Sequence, residues 1–155
     1  MQLLKKLGIT ALLLCAVNVQ AEITHIDNDK TATLLAQGVP LIDVRTQSEW
    51  KETGIVEGSH LLTLFDEKGR FDMDKWLAEL DKIAGKDQPF MLICAVGGRT
   101  GMLSNYLDSR AGYTQVHNVQ WGIKRWIGAN KPIVSYPLAQ PATANTDTLS
   151  VTTLK

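Results

Sequence analysis

The chain has 155 residues, 45% hydrophobic and 21% charged, which fits one globular domain and excludes a disordered protein. Sixteen bases balance sixteen acids and aromatics make up only 6%, so neither the basic surface of a nucleic-acid binder nor a stacking platform for single strands is expected. Two cysteines, Cys15 and Cys94, are too few for a disulfide framework or a four-cysteine zinc site.

Residues 1–21, MQLLKKLGITALLLCAVNVQA, read as a cleaved export signal. Lys5 and Lys6 form the positive n-region, the apolar run over 7–17 has the length of an h-region, and Val19-Gln20-Ala21 places the cut before Glu22. The run falls short of the ~20 apolar residues that span a bilayer. A retained membrane anchor is the rival reading; lipid attachment at Cys15 is disfavoured because Leu14 precedes it. Cleavage leaves 134 of the 155 residues, with 14 bases against 16 acids, a net charge of −2. It also leaves Cys94 as the lone thiol in an exported, periplasmic protein. An unpaired thiol in an oxidising compartment is a hazard unless it is used or sealed in the core.

In chain order, residues 23–26 suit a short strand. Asp27 or Asn28 caps a helix running to Gln37 and stopped by Gly38. Residues 41–45, LIDVR, read as a buried strand with a polar end. Ser48 is the expected cap of a short helix through Lys51, ended by Gly54. Residues 60–65 suit another strand. Asp72 caps an amphipathic helix with Met73, Trp76, Leu77, Leu80 and Ile83 on one face, ended by Gly85. The continuous apolar run 90–94 marks a central strand covered on both sides. A helix over 100–110 with Gly112 at its end, a strand over 116–119 and a helix over 123–129 complete the domain, assigned to 22–136. The tail 137–155, rich in Ala, Thr and Ser, reads as a disordered extension. Alternating strands and helices imply a mostly parallel sheet of about five strands with helices on both faces. Sites in such folds form beyond the carboxyl ends of strands.

Cys94 stands at such an end, followed by Ala95-Val96-Gly97-Gly98-Arg99-Thr100 and a helix. Two glycines let successive N–H groups converge into an anion-binding nest, reinforced by a helix N-terminus. A thiol centred there ionises below its free value of about 8.5. Arg99 adds a fixed guanidinium fork that can grip an oxyanion. The bland alternative is a tight strand-to-helix turn with Cys94 as small filler.

The strings LIDVRTQSEWKETGIVEGSHLL, CAVGGRTG and VHNVQWGIKRW, in this order and spacing, resemble the signatures of rhodanese domains across nearly all of the mature chain. Small, exported, single-domain rhodaneses of the phage-shock kind are the most similar type. The resemblance implies a rhodanese-like α/β fold and sulfur transfer through a persulfide on Cys94. A small anionic donor such as thiosulfate would load the sulfur, and cyanide, an external thiol or an unidentified protein would accept it. No cofactor and no metal are implied. Ala95, Val96, Gly97, Gly98 and Thr100 would form the persulfide-binding loop. Arg99 would position the donor or brace the loop. Asp43 and Arg45 would support the loop from below. From the residues alone, Asp43 after an apolar strand reads first as a cap or an ion-pair partner, and bracing Arg99 by such a pair would itself be a structural function. Glu49 carries the weaker expectation of capping the short helix.

The resemblance implies a Gly-Gly pair, usual in relatives, where this chain has Trp121-Gly122. We read Trp121 as a wall of the pocket, with an exposed or edge-packed ring as the alternative. A cysteine-based phosphatase of the same fold and a non-catalytic binding module are the competing functions. The six residues from Cys94 through Arg99 match the sulfurtransferase loop; the phosphatase loop is one residue longer. Trp50, Trp76 and Trp126 are expected in the core, and His60 as a hydrogen-bonded scaffold residue. His25, His60 and His117 lack metal-ligand spacing. Lys124 and Arg125 would add positive potential at the site mouth.

Overall fold

The computed structural model describes residues 23–136. The expected export signal and the C-terminal tail lie outside the described residues.

Five strands form one sheet: β1 (Thr24–Ile26), β2 (Leu41–Asp43), β3 (His60–Leu61), β4 (Phe90–Ile93) and β5 (Val116–Val119). All are parallel, in the order β1-β5-β4-β2-β3. β4 is central, and its four residues are all buried, as a continuous apolar run requires. Chain order reverses on its two sides, so its carboxyl end opens at the point where ligands enter such sheets.

Among the described residues five α-helices accompany the strands: α1 (Asn28–Ala36), α2 (Gln47–Thr53), α3 (Met73–Leu80), α4 (Gly98–Tyr106) and α5 (Gly122–Gly128). On one face Ile42, Leu92 and Phe90 pack with Trp76 and Leu80 of α3 and Leu103 of α4. On the other, Leu41, Met91 and Ile93 pack with Leu34 of α1 and Ile123 and Trp126 of α5. Each fully buried Leu, Ile, Phe or Met contributes about 1.5–3 kcal/mol of transfer free energy, so this two-sided core carries most of the fold's stability. Trp50, Trp76 and Trp126 are buried, as expected.

Several boundaries differ from expectation. β2 ends at Asp43; Val44 still donates to the Ile93 carbonyl at 3.0 Å, and the Arg45 N–H then turns back to the Asp43 carboxylate at 3.1 Å. β3 is two residues long rather than six. Leu62 and Leu64 N–H still bond Asp43 and Val44 carbonyls, but the strand itself has ended. α2 is capped by Thr46, not Ser48. Thr46 and Glu49 form a reciprocal capping box, and Ser48 instead donates to Glu67. α4 starts at Gly98, two residues early. It gives way at Leu107–Ala111 to a π-helical turn that Gly112 ends in the left-handed region. Ile83 lies beyond α3 but still packs against the core. His60 is exposed on the edge strand rather than tied into a scaffold.

Candidate active site

Cys94 is the first residue past β4 and is 1% exposed. Its position depends on α5. The N–H groups of Ile123 and Lys124 donate to the carbonyls of Cys94 and Ala95 at 2.8 and 3.1 Å. Helix N-terminal donors thus engage the carbonyls on one side of the loop, leaving the following N–H groups to face the sulfur. The approach is tight: a Cβ on Gly122 would lie 2.3 Å from the Cys94 carbonyl oxygen, so only glycine fits there. Gly97, at φ 89°, makes the left-handed turn that starts α4.

Around the sulfur, the Gly97 N–H donates to Sγ at 3.1 Å and the Thr100 hydroxyl lies 3.6 Å away. Thr100 is fully buried, and its hydroxyl also bonds the Gly97 carbonyl at 3.2 Å. Burial pushes the Cys94 thiol up. The Thr100 hydroxyl and the N–H groups of Thr100, Val96 and Gly97 outweigh it, and the thiol rests below its ordinary value. The loop therefore eases ionisation of the thiol.

Arg99 closes the rim. Its partner is Glu49, not Asp43: Nη1 donates to Oε2 at 2.8 Å, and Nη2 donates to Oε1, in a fork-to-fork pair. Glu49 Oε2 also accepts the Thr46 N–H at 3.0 Å, so one carboxylate caps α2 and holds the loop arginine. The hydrogen bond from Arg99 holds the Glu49 carboxyl below its usual 4.5 against the opposing effect of partial burial. Reciprocally, Glu49 raises Arg99, and the negative Cys94 sulfur adds to that.

Asp43 and Arg45 form a separate, buried pair at the end of β2. Nη2 donates to Asp43 Oδ2 at 2.7 Å and to the Gly54 carbonyl at 2.8 Å, and Nη1 donates to the Thr53 hydroxyl at 2.6 Å. Arg45 thereby ties β2 to the C-terminal end of α2, the helix that carries Glu49. Its link to the cysteine loop runs through that helix.

Trp121 is 63% exposed and adopts φ 66° as the residue before α5. It borders a cavity of about 170 Å³ shared with Val96 and Gly97 of the loop. Lys124 and Arg125 are exposed on α5. On the α4 side, Arg99 borders an apolar cleft of about 310 Å³ with Phe71, Met102 and Tyr106. The largest described cleft, about 680 Å³ beside α3, includes neither Cys94 nor its loop. Among the described residues no cluster of three His, Cys, Asp or Glu side chains is placed to hold a metal ion. No described helix is long and apolar enough to cross a membrane.

The rhodanese-like domain model matches residues 26–129, more than half of the chain, and the protein belongs to that family. Thiosulfate sulfurtransferase 18 of Arabidopsis thaliana is 28% identical over 116 residues, covering 72% of this chain and 84% of that protein. Among solved structures, a rhodanese-related protein from Thermoplasma volcanium aligns with TM-score 0.55 at 24% identity, covering 73% of this chain and 99% of the other. The polysulfide-sulfur transferase homodimer of Wolinella succinogenes aligns with TM-score 0.56 at 18% identity, covering 80% and 87%. The fold is rhodanese-like, and sulfur transfer is supported at the level of the family.

Proposed function

We propose that this protein is a periplasmic thiosulfate sulfurtransferase that works through a persulfide on Cys94. One observation carries the reading: the one thiol among the described residues, held below its ordinary pKa by converging hydrogen bonds, sits in a six-residue loop closed by a braced arginine. That arrangement suits a nucleophile and the anion it produces.

In the first half-reaction the Cys94 thiolate attacks the outer sulfur of thiosulfate. A Cys94 S–S bond forms, the S–S bond of the donor breaks, and sulfite leaves with the electron pair. The persulfide anion then takes the place of the thiolate among the N–H donors of residues 95–100. Arg99 balances the arriving dianion. In the second half-reaction cyanide or a thiol attacks the outer sulfur, and the electron pair returns to Cys94 Sγ. Asp43 and Arg45 act at a distance, by fixing α2. The export signal composition supports a domain over 22–136 that acts in the periplasm.

Intact mass of the mature protein tests this. Thiosulfate should add about one sulfur, cyanide should remove it, and Cys94→Ala should show neither. No gain on an intact free thiol would overturn the thiosulfate reading, and turnover of phosphate esters would replace it with the phosphatase.

A further inference from the structure

Of the four tryptophans, Trp50, Trp76 and Trp126 are at most 6% exposed, whereas Trp121 is 63% exposed. Trp121 is also one of two non-glycine residues with positive φ among the described residues. A side chain larger than glycine in that region is strained, and an exposed ring recovers little of the cost by burial. Folding alone does not explain a tryptophan here.

Its surroundings supply a reason. The cavity of about 170 Å³ is lined by Trp121, Gln120, Asn118, His25, Val96 and Gly97. Gly97 also donates its N–H to Cys94 Sγ, so a single residue separates the cavity from the reacting sulfur. A volume of this order accommodates a body about the size of a six-membered ring. Asn118 is 3% exposed and its Nδ2 contacts His25 Nδ1 at 3.0 Å, while its Oδ1 is buried without a partner. A buried acceptor with no donor is costly, and a rotation of the Asn118 amide toward the cavity would let a ligand N–H satisfy it.

We propose that this cavity is the acceptor subsite and that it takes the carbon body of a low-molecular-weight thiol bearing an N–H, free cysteine being the simplest case. The indole of Trp121 covers the body, Asn118 Oδ1 accepts its N–H, and the thiol points over Gly97 to the persulfide. This rests on the sulfur-transfer reading above. The acceptor sulfur forms a bond to the outer sulfur, the Cys94 S–S bond breaks with its pair returning to Sγ, and the thiol proton leaves with the new organic persulfide. Atoms and charge balance: a Cys94 persulfide anion and a neutral thiol become a Cys94 thiolate and a neutral hydropersulfide.

Two measurements on the full chain and on Trp121→Gly test the subsite. Glycine relaxes at φ 66°, so this variant keeps the fold. S-methylcysteine, which cannot accept sulfur, should change the indole emission of the wild type and not of the variant. The ratio of kcat/KM for cysteine to that for cyanide should fall about tenfold in the variant, the scale of one lost packing contact. Sulfur uptake with both readouts unmoved overturns the subsite and leaves sulfur transfer standing. Loss of sulfur uptake in the wild type, with the emission change retained, overturns sulfur transfer and keeps the cavity as a binding site.

Discussion

Two arginine–carboxylate pairs stand near the carboxyl edge of the sheet, and they do different work. Asp43 and Arg45 lie two residues apart, 0% and 1% exposed, and the guanidinium donates to Asp43, the Gly54 carbonyl and the Thr53 hydroxyl. Glu49 and Arg99 lie fifty residues apart in sequence and are 27% and 24% exposed. The first pair is sealed and joins a strand to a helix. The second is reachable from solvent and joins that helix to the cysteine loop. A charge that must be able to meet a substrate cannot be sealed with every donor committed; a charge that must hold a corner can. The difference separates a residue that supports the site from one that borders it.

The largest expected effect tests the sealed pair. Asp43→Asn leaves Arg45 charged and buried without its counter-ion, which costs about 3–5 kcal/mol. A fall in melting temperature of roughly 10–20 °C in calorimetry would follow. Replacing both residues with apolar ones of similar size should recover part of that loss, though not all, because the Gly54 carbonyl loses its donor. A melting temperature unchanged in Asp43→Asn would show that the pair is not a structural fastening.

Glu49→Gln should behave differently. It removes a charge-assisted fork at a partly exposed rim, for about 1–2 kcal/mol of stability, and slows sulfur uptake about tenfold as Arg99 loses its anchor. The pH dependence gives the sign. Glu49 is held below its ordinary 4.5 in the folded protein, so its contribution is complete above that value and is lost as pH falls through the lowered folded value. Stability of wild type and Glu49→Gln should therefore differ at neutral pH and converge in acid. A constant gap down to the acid limb would mean that the Arg99 pair does not set the loop's stability.

The same contrast explains what could be read from the chain alone. The apolar run of β4, the Asp72 cap and the alternation of elements follow local rules, and they reproduce the sheet with its layers. Cys94, its glycines and Arg99 are contiguous, so the loop was legible as a unit. Glu49 was legible only as a helix cap. Its capping box with Thr46 is local, but its grip on Arg99 spans fifty residues and depends on where α2 rests. Asp43, an acid after an apolar strand, is legible as a cap or ion-pair partner, and it is both, but its partner is not Arg99. Arg45, two residues away, occupies that carboxylate instead. The cap at Ser48 failed for a related reason: Thr46 already satisfies the α2 terminus, and Ser48 is held by Glu67 from a distant loop. Nothing local announces the His25–Asn118 contact, which arises because β1 and β5 align His25 with Asn118.

The smallest expected effect separates the rim from the sulfur itself. Burial alone would raise the Cys94 thiol, and the Thr100 hydroxyl is the largest influence that lowers it. Thr100→Val keeps the buried volume and removes that hydroxyl, so the midpoint of thiol alkylation against pH should move upward while melting changes little. Glu49→Gln leaves the Gly97 N–H and the Thr100 hydroxyl on Sγ in place. Its alkylation midpoint should move less than that of Thr100→Val, even though its sulfur-uptake rate falls further. The opposite ranking would mean that the charge on the rim, rather than the hydrogen bonds inside the loop, sets the ionisation of Cys94. The two arginine pairs would then differ in whether they govern the thiolate, and not only in whether solvent reaches them.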